Sequence, residues 1–125
     1  VTKNIELGKG EIISEGKDIV IISYGTILEE ALEAKQILKK HNINPTIVDA
    51  KFCKPLDEKL ISNLAKNCQK IITIEEGVIG GFGSIVSDFI KKKGFNCKVE
   101  NLFMKFFRII FNFIITFPFF SDTVN

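Results

Sequence analysis

Runs of β-branched apolar residues recur along the chain. The first, Asp18-Ile19-Val20-Ile21-Ile22-Ser23, does not alternate with polar residues, which is the pattern of a strand covered on both faces, as parallel strands are. Pro45-Thr46-Ile47-Val48-Asp49-Ala50 and Lys70-Ile71-Ile72-Thr73-Ile74 read as two more strands, and Cys97-Lys98-Val99-Glu100-Asn101-Leu102 as a fourth. Helical spacing fills the gaps. From Ile27 to His41 the residues Ile27, Ala31, Leu32, Ala34, Ile37 and Leu38 share one face, with Lys35, Lys39 and Lys40 on the other. Glu29, Glu30 and Glu33 favour the amino half of that helix dipole, and Thr26 is placed to cap it. Asp57 is placed to cap a short helix carrying Leu60, Ile61 and Leu64. A third helix, from Ser84 to about Lys92, turns Ile85, Val86, Phe89 and Ile90 inward and closes on Lys91-Lys92-Lys93-Gly94. Strand and helix in alternation predict an α/β fold, a mostly parallel open sheet with helices on both faces.

That fold is expected over residues 18–102. Residues 1–17 form a polar, glycine-dotted lead-in that ends in a short edge strand or hairpin. Residues 103–125 look unlike the rest: of the 12 phenylalanines, eight lie at or after Phe103. As a membrane span this tail is poor, because its longest uncharged run, Ile109–Ser121, falls short of the roughly 20 apolar residues needed. As a helix it has no polar face. Its residues are mostly those written by A/T-rich codons, which points to translated non-coding or frame-shifted sequence, with a genuine hydrophobic tail as the alternative. The absence of an initiator methionine points to a piece of something longer.

Charge narrows the partners. With 17 basic and 15 acidic residues the net charge is +2, which makes no electrostatic case for nucleic acid. The three cysteines, Cys53, Cys68 and Cys97, are odd in number and far apart in sequence, which argues against a disulfide framework and against zinc. The lone His41 reads as a solvated helix terminus.

The chemistry to be weighed centres on Glu75-Glu76-Gly77-Val78-Ile79-Gly80-Gly81-Phe82-Gly83-Ser84, where a strand ends and a helix begins. No lysine follows Gly83 as a Walker loop requires, and the dinucleotide fingerprint breaks at Val86. Adjacent strand residues point to opposite faces, so Glu75 and Glu76 are not expected to share a proton as a catalytic dyad. One carboxylate tying down the glycine turn is the simpler reading. Without an activated serine or cysteine, no nucleophilic triad can be assembled.

Taken in order, the series Ile22-Ser23-Tyr24-Gly25-Thr26, Glu30-Ala31-Leu32, Val48-Asp49-Ala50-Lys51-Phe52-Cys53-Lys54-Pro55-Leu56-Asp57, Ile74-Glu75-Glu76-Gly77 and Gly80-Gly81-Phe82-Gly83-Ser84 resembles the C-terminal domain of the 1-deoxy-D-xylulose-5-phosphate synthases. These are thiamine-diphosphate enzymes of the transketolase superfamily. Leu7-Gly8-Lys9-Gly10-Glu11 matches the same family just before this domain, and the likeness covers about residues 5 to 102. The beta subunits of 2-oxoacid dehydrogenases share several of these motifs and are the alternative; Phe52 and the glycine-dotted lead-in favour the synthases. Lys51 stands where an arginine is common, keeping the charge and losing the bidentate fork. The Gly-x-Pro-Asp segment that follows the fourth strand in the family is replaced by Phe103-Met104-Lys105-Phe106.

The resemblance implies a transferase that condenses pyruvate with glyceraldehyde 3-phosphate, releasing carbon dioxide, on thiamine diphosphate and Mg2+, to begin non-mevalonate isoprenoid synthesis. The catalytic, cofactor-binding and metal-binding residues of such an enzyme lie upstream of Val1, so none is expected here. Tyr24, Gly25, Phe52, Pro55, Asp57, Glu75, Glu76, Gly77, Gly80, Gly81 and Gly83 carry over as motif positions with structural or interface roles. The implied partners are the upstream thiamine-binding domains and a second copy of the chain in a homodimer, without nucleic acid or membrane. Bacterial cytoplasm and a plastid-type organelle are both compatible.

Overall fold

The computed structural model describes residues 6–76 and 81–103. The 103–125 tail beyond Phe103, together with Gly77 and Gly80 of the glycine turn, lies outside the described residues. The chain runs β1 (Glu11–Ser14), β2 (Asp18–Tyr24), α1 (Leu28–Lys39), β3 (Thr46–Asp49), α2 (Glu58–Lys66), β4 (Cys68–Glu75), α3 (Phe82–Lys93) and β5 (Lys98–Phe103). The strands form one five-stranded sheet in the order β1-β3-β2-β4-β5. β1 pairs antiparallel with β3, and the other pairings are parallel. The expected α/β architecture is therefore the observed one, with the lead-in supplying an antiparallel edge.

Side chains alternate across the strands and divide the core in two. On one face Ile19, Ile21, Ile47, Ile72, Ile74 and Leu102 pack with Ala31, Ala34 and Leu38 of α1. On the other, Val20, Ile22, Val48 and Ile71 pack with Ile61 and Ala65 of α2 and with Phe82, Val86, Phe89 and Ile90 of α3. Because both faces are covered, β2 needs apolar residues at consecutive positions, which explains its lack of alternation.

The helix ends follow from local chemistry. Asp57 caps α2 by accepting from the Leu60 amide at 3.1 Å. Gly94, at φ 77°, ends α3 in the left-handed conformation, and its amide donates to Ile90 and Lys91 carbonyls. Asn42 adopts φ 64° after α1, a conformation asparagine tolerates. Two expectations for α1 need correction. Thr26 does not cap it: the N-cap is Ile27, which makes no side-chain cap bond, and Thr26 is engaged elsewhere. Nor does Lys35 lie on the solvent side. It falls on the Ala31–Ala34–Leu38 stripe and is buried, its ammonium donating to Ser14 Oγ at 2.7 Å and the Glu15 carbonyl at 2.6 Å. A long aliphatic stem lets a lysine line a core while its charged end finds oxygen partners at the margin.

Candidate functional site

The order of connections sets up a particular place in this sheet. After β2 the chain crosses through α1 to β3 on one side; after β4 it crosses through α3 to β5 on the other. Helices from β2 and β4 thus leave on opposite faces, and the carboxyl ends of these two neighbouring strands flank the topological switch point, where open α/β sheets gather ligands and partners. Tyr24 and Glu75 are register partners at this edge.

Two adjacent carboxylates divide the work there. Glu75 points inward, 4% exposed; its Oε1 accepts from the Phe82 amide at 3.0 Å and its Oε2 from the Gly83 amide at 2.5 Å. These donors belong to the first turn of α3, which has no intrahelical acceptors for them and whose dipole favours a negative charge. Glu76 points outward, exposed, and its Oε1 accepts from the Thr26 amide at 2.9 Å and from the Thr26 hydroxyl. Those bonds, the hydroxyl's first, hold the Glu76 carboxyl below its ordinary range. The Glu76–Thr26 contact ties the end of β4 to the turn after β2. Gly25, at φ 94°, is part of that turn, and a Cβ there would come within 3.2 Å of Glu76 Oε1.

Beneath these contacts the Tyr24 and Phe82 rings stack with centroids 5.0 Å apart and planes 14° from parallel, a spacing typical of favourable aromatic pairs. Gly81 precedes α3 with negative φ. Gly83 is required by a close approach rather than by its dihedrals: a Cβ would meet Asn101 Cγ at 2.7 Å. Asn101 is itself held by Thr73 Oγ1, which donates to its Oδ1 at 2.7 Å, while its own amide donates to Ser87 Oγ at 3.0 Å.

The segment after β3 forms the flank. Phe52 is half-buried beside the α2 core, Lys54–Pro55 is a cis peptide, and Pro55 is exposed. Asp57 uses its second oxygen to accept from the Gly10 amide at 2.9 Å, fastening the lead-in. A Cβ on Gly8 would approach Pro55 Cγ to 3.0 Å. Lys51, at φ 62°, makes a partly exposed ion pair with Glu11 at 2.9 Å.

What this arrangement can do chemically is hold a surface. Both oxygens of buried Glu75 accept from backbone, and Glu76 is on the opposite side, so the two carboxylates form no acid–base pair. Among the described residues no three His, Cys, Asp or Glu side chains cluster as metal ligands, so this donor set does not fit Mg2+. His41 lies at the far end of α1, toward the amino edge of the parallel strands. The sequence reading missed the Thr26 and Asn101 partnerships. It also treated the cysteines as far apart, whereas the fold brings Cys68 and Cys97 to one cleft. No described helix is long and apolar enough to cross a membrane.

Comparison with known proteins bears on this geometry. The family profile described as Transketolase, C-terminal domain, matches residues 8–109. A chloroplastic 1-deoxy-D-xylulose-5-phosphate synthase 1 from Cannabis sativa is 46% identical over 90 residues, 72% of this chain and 12% of that protein. The 1-deoxy-D-xylulose-5-phosphate synthase of Crocosphaera subtropica is 46% identical over 85 residues, 67% of this chain and 13% of that protein. The chain thus spans a small part of the length of the curated relatives it matches. Among solved structures, a split-gene transketolase described as an inactive β4 tetramer superposes with a TM-score of 0.76 at 32% identity, over 81% of this chain and 34% of that one. A 2-oxoglutarate:ferredoxin oxidoreductase from Magnetococcus marinus shares the fold, with a TM-score of 0.53 at 20% identity over 75% of this chain and 16% of its own.

Proposed function

The chain belongs to the transketolase C-terminal domain family, and from that premise we propose that it is the C-terminal part of a 1-deoxy-D-xylulose-5-phosphate synthase. The reaction of the whole enzyme is the condensation of pyruvate with glyceraldehyde 3-phosphate, with loss of carbon dioxide. The observation that carries this reading is the 46% identity, over 90 residues, to such a synthase. Thiamine diphosphate and Mg2+ are assigned to the upstream part of the enzyme, which supplies the electron sink and its metal. This chain's share is mechanical. Glu75 fixes the start of α3, Glu76 joins the turn after β2 to the end of β4, and Asp57 with Pro55 holds the lead-in. Together they keep the switch-point edge in one shape for contact with the upstream domains and with a second copy. The chain alone has no complete active site.

Grafting tests this. Residues 8–103 replace the matched segment of the Crocosphaera synthase, and pyruvate-dependent product formation is followed. Retained activity in a dimer supports the reading; a soluble, cofactor-loaded dimer without activity overturns it. Calorimetry on the chain alone should show no tight thiamine diphosphate binding with Mg2+ present, and tight binding would sink the division of labour.

A second reading rests on the split-gene neighbour. There this chain pairs with a separately encoded catalytic chain, as an interaction module. Co-purification with such a chain, from a gene lacking the thiamine-binding domains, distinguishes it from the first.

A further inference from the structure

The two cysteines at the opposite edge of the sheet are unused by the family reading. β4 begins at Cys68, and Cys97 immediately precedes β5. Parallel pairing of Lys70 with Lys98 brings their approaches side by side. Cys68 and Cys97 are both half-buried against the α2–α3 core. They line one open cleft of about 480 Å³, together with Gly94, Phe95 and two lysines, Lys66 and Lys98. On neighbouring strands about 4.8 Å apart, the one-residue offset left by the Lys70–Lys98 pairing keeps the two Cα atoms within the span a disulfide bridges. The third cysteine is elsewhere: Cys53 follows β3 at the carboxyl edge, roughly 20 Å from Cys68 by the rise of an eight-residue strand.

We infer that Cys68 and Cys97 form a redox-active dithiol that closes to an intramolecular disulfide by exchange with a small anionic disulfide of the glutathione class, admitted through the lysine-rimmed cleft.

The electron balance is that of thiol–disulfide exchange. Burial raises the Cys68 thiol further than the Cys97 thiol, so Cys97 loses its proton first. Its thiolate attacks one sulfur of the small disulfide, whose S–S bond breaks and releases one thiolate. Cys68 then gives up its proton and attacks the Cys97 sulfur of the mixed disulfide. The Cys68–Cys97 bond forms and the second small thiolate leaves. Two protein thiols are oxidised by two electrons, the small disulfide is reduced to two thiols, and the two protons pass to the leaving groups. Burial raises both protein thiols, Cys68 to about 12, so closure is slow at neutral pH and gains rate as pH rises. Cys68 faces Cys97 and the Lys70 backbone; Lys66 from α2 and Lys98 from β5 are the cations beside the cleft. The bond would join the first residue of β4 to the approach of β5, enclosing α3 between its ends.

The test uses the full chain, reduced, then held with glutathione disulfide, alkylated and mapped by mass spectrometry. The expected result is loss of two of the three titratable thiols, a linked Cys68–Cys97 peptide, and Cys53 still alkylated. Cys53→Ser should behave like the parent. Cys68→Ser should stop at a mixed disulfide on Cys97. Three remaining thiols, mixed adducts alone on the parent, or a link that involves Cys53 or a second chain would each overturn the inference. The same holds if urea-unfolded chain yields the Cys68–Cys97 link as selectively as folded chain, since the selectivity would then owe nothing to the fold.

Discussion

The Glu75 carboxylate and the Gly83 amide are joined by a buried 2.5 Å hydrogen bond. With the Phe82 amide on the other oxygen, one side chain from the end of β4 satisfies two of the donors that the first turn of α3 would otherwise leave without partners. The geometry turns a strand-end carboxylate into the anchor of the next helix, and so fixes the part of the switch-point edge that α3 supplies.

Glu75→Ala should therefore be among the most damaging single changes. It strands two buried donors, each costing about 1–3 kcal/mol, so urea unfolding is expected to lose roughly 3 kcal/mol. Glu75→Gln keeps one acceptor oxygen and is expected to lose about half of that. Equal losses for the two variants would show that the acceptor oxygens are not what matters.

The Gly83–Asn101 approach makes a second prediction. In a helix, alanine is ordinarily favoured over glycine by about 1 kcal/mol. Here the added methyl meets Asn101 Cγ, Oδ1 and Cβ within 2.9 Å, and Asn101 cannot swing away without losing Thr73 and Ser87. Gly83→Ala should thus destabilise by about 1–3 kcal/mol, the usual cost of overpacking. Asn101→Gly clears all three atoms, so Gly83→Ala should cost less in that background. A double-mutant cycle by chemical denaturation measures the coupling, and a cycle that closes to zero would remove steric conflict as the cause.

These two sites also show how far the sequence could be read. The parallel α/β sheet was legible because β2 and β4 carry unbroken β-branched runs and the helices between them keep their periodicity. The separation of Glu75 from Glu76 was legible too, since neighbours on a strand face opposite ways. Thr26 was misread because a threonine before a helix satisfies the cap pattern, while its actual partner, Glu76, lies 50 residues away. Lys35 was misread because its charge hid its place on the Ala31–Leu38 stripe. Asn101 and the Cys68–Cys97 juxtaposition depend on which strands become neighbours, and local spacing carries no such information.

Asp57 predicts a link between helix capping and the lead-in. One oxygen caps α2 and the other holds the Gly10 amide. Asp57→Ala should cost about 2 kcal/mol, roughly 1 from the cap and 1 from the second bond. Hydrogen exchange at Gly10 should accelerate along with exchange at Leu60. Asp57→Asn, a competent cap, should spare Leu60 more than Gly10. If Gly10 exchange is indifferent to both variants, the lead-in is held by something other than Asp57.

Glu76 and Thr26 give a prediction in pH. The folded state holds the Glu76 carboxyl below its usual range, chiefly through the Thr26 hydroxyl and then through the Thr26 amide. A depressed carboxyl adds stability that is fully present above the unfolded value of about 4.3 and disappears as pH falls through the lower folded value. The parent should therefore be more stable than Glu76→Gln at neutral pH, and the difference should fade only in acid. Thr26→Val removes the larger cause and leaves the amide, so an NMR titration of the Glu76 carboxyl carbon should move upward without reaching the unfolded value. An unchanged titration would place the cause outside Thr26. Because this pair bridges the end of β4 and the turn after β2 at the exposed edge, acid should loosen that edge as the Glu76 carboxylate takes up its proton. Protection of the Thr26 amide should then fall as pH drops through the Glu76 titration, and protection that persists through it would show that the edge is held by something other than this pair.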